Sequence, residues 1–194
     1  MAFEQCINLS EVVLPTGIMS IGRLAFYGCE RLENISLPDS LEIVEDGVFW
    51  NCTSLEKIVL PETDISIGEN AFSGCSSLTN IDIPSGVEVI EAFSFDNCYS
   101  LREISLPDGL ISIGEQAFLG CSNLTTVKIP DTVMSIHYRA FSECINLEKV
   151  VMPESVVMID KTAFDNCEKL SFVISEGSYA EQYAIENSIP VQIQ

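Results

Sequence analysis

Residues 29–52 read CERLENISLPDSLEIVEDGVFWNC. The stretch opens and closes on cysteine, and a similar stretch starts where it ends. Cysteine stands at 6, 29, 52, 75, 98, 121, 144 and 167, phenylalanine at 3, 26, 49, 72, 95, 118, 141 and 164, and leucine at 9, 32, 55, 78, 101, 124, 147 and 170. Every step is 23 residues, and proline keeps the same step from Pro15 to Pro153. A fixed period of this length marks a repeat architecture, in which one unit cannot bury its apolar face and must stack on its neighbours.

Within the unit, Ile35 and Leu37 alternate with Asn34 and Ser36. That is the two-residue period of a short strand, and Pro38, with no N–H to give, ends it. Asp39 and Ser40 turn the chain. Leu41 and Val44 form a second apolar pair, read as a second short strand, and a single helical turn is expected to run to about Phe49. Gly28, Asn51, Gly74, Asn97, Gly120 and Asn166 share the next column. These residue types tolerate the left-handed conformation that closes a helix. Glu143 occupies that column once, so its turn is expected to differ. Asp64 falls in an otherwise apolar column. A carboxylate is costly to bury, so Asp64 is expected to reach solvent, with Ile65 filling its place.

Stacking lays like residues over like, with parallel strands about 4.8 Å apart. The expected inward columns are Leu9, Val12, Leu14, Ile18, Ile21, Ala25, Phe26, Cys29 and their equivalents. The outward strand columns run from Glu11 and Val13 through Lys57 and Lys128 to Lys149 and Val151, small and mixed, with no aromatic residue until Phe172. The fold class is thus an α/β repeat solenoid over residues 1–174, its first repeat truncated and expected to continue a longer array. Ser175 and Glu176 fall where leucine and proline would recur, so residues 175–194 are read as a lid. There Ser178 and Glu181 form a capping box, Tyr179 with Tyr183 and Ala180 with Ala184 form a helical stripe, and Ile189, Val191 and Ile193 alternate as a last strand.

Apolar residues make up 47% of the 194, enough for a real interior. The 29 acids outnumber 9 Lys and Arg, for a net charge of −20. Such a chain is repelled by nucleic acid and by anionic lipid, so neither is expected as a partner. Cysteines in a line cannot set four ligands around a point, as zinc needs, and a disulfide needs Cβ atoms about 3.8 Å apart in a particular dihedral. The reading is a buried structural ladder of free thiols at Cys29, Cys52, Cys75, Cys98, Cys121 and Cys144, with Cys6 the exception to burial. His137 is the only histidine and is read as surface, without a second imidazole to recruit. The acidic columns, one through Asp39, Glu62, Asp108, Asp131 and Glu154, another through Glu45, Glu91 and Asp160, and beside it Asp46, Glu69 and Glu115, read as solvated turn edges, with weak calcium binding as the alternative. No catalytic residue, cofactor motif or glycine-rich phosphate loop stands out. If the chain binds a protein, the candidate residues are the aromatics Tyr27, Trp50, Phe93 and Tyr99 and the strand lysines Lys57, Lys128 and Lys149, with Tyr27 and Trp50 adjacent in one column.

The patterns CxxLxxIxLP and LxxIxxxAFxxC resemble the BspA-type leucine-rich repeat of bacterial surface proteins, from residue 2 to about 174. The resemblance implies a right-handed solenoid with parallel strands on its concave side and short helical turns on its convex side. It also implies a non-enzymatic cell-surface or secreted protein that binds other proteins, often of the host extracellular matrix. A passive spacer is the rival reading.

Overall fold

The structure, a computed structural model, describes residues 2–194. Each coil gives a three-residue strand and a two-residue strand. In chain order these are β1 (Glu11–Val13) and β2 (Ser20–Ile21), β3 (Asn34–Ser36) and β4 (Ile43–Val44), β5 (Lys57–Val59) and β6 (Ser66–Ile67), β7 (Asn80–Asp82) and β8 (Val89–Ile90), β9 (Glu103–Ser105) and β10 (Ser112–Ile113), β11 (Thr126–Lys128) and β12 (Ser135–Ile136), and β13 (Lys149–Val151) and β14 (Met158–Ile159). The chain closes with β15 (Ser171–Ile174), helix α1 (Tyr179–Glu186) and β16 (Val191–Ile193). All pairings are parallel, and from β1 to β14 the partners lie 23 residues apart, as in Glu11 opposite Asn34 and Ile113 opposite Ile136. The result is a parallel-strand solenoid of about eight turns.

Periodic burial follows from that register. Eight phenylalanine rings, Phe3 to Phe164, stack face to face with centroids 5.0–5.6 Å apart and planes within 13°. Phe172 ends the stack by meeting Phe164 edge-on at 73°. The leucine, isoleucine and alanine columns bury around this axis. Only the leading coil (Leu9, Val12, Leu14, Ile18) and Ile104 and Leu106 of the middle coils remain half-buried among the early core columns.

The segment between β2 and the next coil is not a helix. Alternate amides close turns of three residues: Ala25 N–H to Gly22 O, Tyr27 N–H to Leu24 O and Cys29 N–H to Phe26 O. The amides between them point along the axis to the next coil: Leu24 N–H to Asp46 O, Phe26 N–H to Val48 O and Gly28 N–H to Trp50 O, at 2.8–3.0 Å. A helix would send all of these amides to its own carbonyls. Here half of them tie one coil to the next, and left-handed residues set the alternation in two columns. One is Gly28, Asn51, Gly74, Asn97, Gly120, Glu143 and Asn166; the other is Leu24, Gly47, Asn70, Phe93, Gln116 and Arg139. Both columns fill the third position of a turn, where positive φ is required. Glu143 corrects the expectation of a different turn. It takes φ 62° like its neighbours, and its N–H reaches Asp165 O at 2.8 Å.

Two irregularities interrupt the period. Asp64 is exposed and Ile65 is buried, as expected. The swap replaces the usual turn closed on proline (Leu41 N–H to Pro38 O) with Thr63 N–H to Pro61 O and Ile65 N–H to Thr63 O. It reduces the β5–β7 pairing to Lys57 opposite Asn80, and the short-strand sheet divides between β6 and β8. The displaced chain needs room: a Cβ on Gly86 would lie 2.8 Å from Asp64 Cα. The long-strand sheet also divides between β9 and β11, for which no residue gives a reason.

The second irregularity is a one-residue deletion after Leu170. Lys149 pairs with Ser171, not Phe172. Phe172 therefore leaves the strand face where the period put it and enters the core. Ile174 takes the place of the missing leucine opposite Met152, and Ser175 the place of the proline. On α1, Ser178 Oγ accepts the Glu181 N–H at 3.2 Å, while Glu181 Oε2 accepts the Gly177 N–H. Ala180, Tyr183 and Ala184 are buried against the last coil, but Tyr179 stays exposed, so the expected stripe is narrower by one residue. The Tyr183 hydroxyl donates to Lys161 O at 3.4 Å.

Candidate functional site

Tyr27 and Trp50 follow the core phenylalanines in successive coils. Their backbones are fully engaged. Each N–H closes a turn, to Leu24 O at 3.2 Å and Gly47 O at 3.1 Å, and Trp50 O accepts the Gly28 N–H at 2.8 Å. The backbone being held, the side chains project outward and meet with ring centroids 5.0 Å apart and planes tilted by 47°. Trp50 remains 36% exposed. Gly47 adjoins the pair: a Cβ there would lie 2.6 Å from Leu24 Cδ2 and 3.7 Å from Trp50 Cε3. Phe93 is half-buried in the left-handed column and Tyr99 is exposed on a later coil. Neither ring stacks on the Tyr27–Trp50 pair, so the structure brings together two of the four candidate aromatics. Lys57, Lys128 and Lys149 are exposed on the long-strand face, in strands β5, β11 and β13, away from the aromatic pair. With Phe172 buried, that face carries no aromatic residue from Glu11 to Val173.

The cysteines are free, and Cys29 to Cys144 are buried, with Cys6 exposed and Cys167 half-buried. Their packing role was legible in the sequence, but their hydrogen bonding was not. Each thiol from Cys29 to Cys167 donates to the carbonyl of the phenylalanine 26 residues earlier, as in Cys98 Sγ to Phe72 O at 3.2 Å. That carbonyl also accepts the amide of its own coil's cysteine, Cys75 N–H at 3.1 Å, so both its lone pairs are used. Burial pushes the thiols of Cys29 to Cys144 up from the ordinary range, which keeps them protonated as donors.

The acids serve the turns. Glu45 Oε2 accepts the Arg23 N–H at 2.8 Å, and Asp46 Oδ1 accepts the Glu69 N–H at 3.1 Å. Glu91 completes a groove of about 500 Å³ with them, and burial, then the charges of Glu69 and Asp46, raise its carboxyl. Among the described residues no three acid, thiol or imidazole groups converge to hold a metal ion. His137 Nε2 lies 3.1 Å from Ser112 Oγ and 3.2 Å from Ser135 Oγ, a contact the column pattern did not reveal. The nearby amides of Gly114 and His137 are spent on Ile90 O and Ile113 O, so neither is left to hold an oxyanion. A shallow groove of about 550 Å³ lies beside the Asp64 irregularity, lined by Ser36, Lys57, Val59 and Glu62. No helix among the described residues is long and apolar enough to cross a membrane.

A leucine-rich repeat protein of T. pallidum superposes with a TM-score of 0.80 at 30% identity, over 94% of this chain and 85% of that one. A leucine-rich repeat protein of Bacteroides ovatus gives a TM-score of 0.52 at 22% identity, over 100% and 63%. The pneumococcal vaccine antigen PcpA gives 0.57 at 18%, over 96% and 68%. These last two speak to the fold alone. No curated protein sequence matches. The family described as the BspA type leucine rich repeat region matches over residues 1–104 and 88–192. The 23-residue period, the phenylalanine stack and these matches make the chain a member of the BspA-type leucine-rich repeat family.

Proposed function

We propose that the array is a non-enzymatic protein-binding module of a cell-surface or secreted protein, recognising a host or neighbouring-cell protein through the Tyr27–Trp50 patch. The observation that carries this reading is the patch itself. An indole and a phenol lie in contact outside the core, the one such aromatic pair among the described residues. Tyrosine and tryptophan anchors of this kind dominate binding energy at protein interfaces. The surface location and the matrix class of partner rest on the family resemblance. Trp50→Ala is expected to weaken capture by a panel of immobilised host matrix proteins by about tenfold or more, the loss of one anchor. Its melting temperature should be unchanged. Equal capture by both proteins would refute the patch. Failure of the folded chain to bind any of the panel would favour a passive spacer, a reading supported by the absence of aromatic anchors on the long-strand face.

A further inference from the structure

One column changes character along the array. It stands one position before each short strand and reads Met19, Glu42, Ile65, Glu88, Ile111, Met134 and Val157. Glu42 and Glu88 are exposed acids, and Ile65 turns into the core. Before β10, β12 and β14 the column is apolar and still exposed: Ile111 at 42%, Met134 at 53% and Val157 at 58%. These three are direct neighbours. Met134 N–H reaches Ile111 O at 2.9 Å and Val157 N–H reaches Met134 O at 3.0 Å, so their side chains form one row along the solenoid axis. Met158, exposed on β14, widens the row at one end. Single exposed apolar residues are ordinary, but a contiguous row of them marks an interaction surface.

A second row runs beside the first. Asp108, Asp131 and Glu154 follow the prolines of the same three coils, and all are exposed. Each sits in the turn that leads to the apolar row. Leu110 N–H closes the first turn on Pro107 O at 3.0 Å, Val133 N–H the second on Pro130 O at 3.1 Å, and Val156 N–H the third on Pro153 O at 3.4 Å. Hydroxyls tie the turns to one another. Thr132 Oγ1 lies 2.6 Å from Asp108 O and from Leu110 O, and Ser155 Oγ donates to Val133 O at 2.7 Å. Both rows are thus held in place before anything binds, which lowers the cost of docking. Asp39 and Glu62 also follow prolines, but Glu42 and the buried Ile65 stand where the apolar row would continue. The paired rows belong to these three coils.

Charge selects the occupant. A second copy of this chain brings its own net charge of −20, and nucleic acid and anionic lipid carry the same sign. A basic protein segment is attracted instead. Spacing selects its conformation. Coils repeat at about 4.8 Å, so the row from Ile111 to Val157 spans about 9.6 Å. Residues i and i+7 of an α-helix are about 10.5 Å apart along its axis, with i+4 between them on the same face. Three same-face residues of a strand span about 13 Å and overshoot the row. We infer that the two rows dock a basic amphipathic helix of a partner protein. The helix lies along the solenoid axis, with three apolar side chains on Ile111, Met134 and Val157 and Lys or Arg over Asp108, Asp131 and Glu154. This surface is separate from the Tyr27–Trp50 patch, and the inference does not depend on that reading.

The probe is an alanine-based helical peptide with leucine at i, i+4 and i+7 and lysine one residue after each, its helicity checked by circular dichroism. Fluorescence anisotropy of the labelled peptide against the 194-residue chain, at physiological salt, should show one saturable site. A peptide of the same composition, shuffled so that the leucines share no face, should bind at least about tenfold more weakly. Met134→Glu adds a negative charge to an acidic surface. General charge attraction would tighten binding, whereas loss of the central apolar contact should weaken it by about tenfold. Asp108→Asn, Asp131→Asn and Glu154→Gln together should weaken binding by about tenfold. Asp39→Asn, Glu42→Gln and Glu62→Gln together make the same change in net charge and should leave it within about twofold. All these side chains are exposed, so each variant should melt with the wild type. The inference is overturned by the absence of saturable binding up to about 300 μM, or by equal binding of the shuffled peptide. It is equally overturned if Met134→Glu binds as tightly as the wild type or more tightly, or if the two triple variants lose affinity alike.

Discussion

Replacing Cys98 distinguishes a thiol that only fills space from one that ties coils together. The side chain is fully buried, and its sulfur lies 3.2 Å from Phe72 O. Cys98→Ala removes the sulfur from the core at about 0.8 kcal/mol for lost apolar transfer and about 0.5 kcal/mol for the small void. The missing hydrogen bond adds about 0.5 kcal/mol, at the weak end because S–H is a poor donor and Phe72 O keeps the Cys75 amide. The alanine variant should therefore lose about 2 kcal/mol. Cys98→Ser decides the question. A buried hydroxyl with no acceptor costs about 1–3 kcal/mol more than alanine at the same site. A hydroxyl pointed at a waiting carbonyl recovers that cost, so serine should be no worse than alanine. Urea unfolding followed by circular dichroism, in reductant, gives both values. At Cys6, which is exposed, the same two substitutions should change little. Serine at position 98 costing at least about 1 kcal/mol more than alanine would show that the thiol makes no useful bond.

Three further outcomes follow from the structure. In the native protein an aromatic disulfide reagent should react quickly with Cys6 and more slowly with Cys167, while the six buried thiols, raised by burial, react only on unfolding. The double variant Asp64→Leu, Ile65→Glu restores the sequence pattern of the other coils and should raise stability by about 1 kcal/mol. Gly86→Ala alone should lower stability, because its methyl meets Asp64 Cα at 2.8 Å, and should be tolerated in the double variant; equal cost in both backgrounds, by thermal melting, would contradict the coupling. Burial raises the Asp96 carboxyl, whose Oδ1 is buried without a partner, and burial with neighbouring acids raises Glu91. A carboxyl with a raised folded-state pKa takes up its proton more readily in the folded chain, so these groups favour folding as pH falls through their folded pKa towards the unfolded value. The melting temperature should rise as pH is lowered from 7 into that window, and Asp96→Asn should raise it at pH 7 and flatten the dependence.

The coil spacing, the parallel register and the interior columns were all legible in the sequence, because 23-residue stacking turns position directly into environment. The same logic foretold that Ile65 would replace Asp64. It failed where the period changed without a visible break. Phe172 is apolar in either register, and only Ser175 and Glu176 in place of leucine and proline marked the deletion. The axial turns were misread for a related reason. Gly28 and Asn51 advertise positive φ, but the matching column holds Leu24, Phe93 and Arg139 as well as Gly47 and Asn70, which hides the second left-handed position. Alternate amides bonding forward then exclude a helix, a consequence of three-dimensional register that no single repeat encodes. Of the candidate site, the contact of Tyr27 with Trp50 followed from their shared column. The groove beside Asp64 and the serine contacts of His137 depend on local chain shape and on neighbouring columns.

The amides of the axial turns all point forward and the thiols all point back, so every junction has a polarity. A coil is complete only when its successor arrives to accept those amides. Whole 23-residue units can therefore be spliced into or out of regular stretches of the chain at small cost, since each cut rejoins halves in the same register. Trimming from the Gln194 end has no such freedom, because losing α1 removes Ala180, Tyr183 and Ala184 from over Phe164 and Phe172 and opens the end of the core.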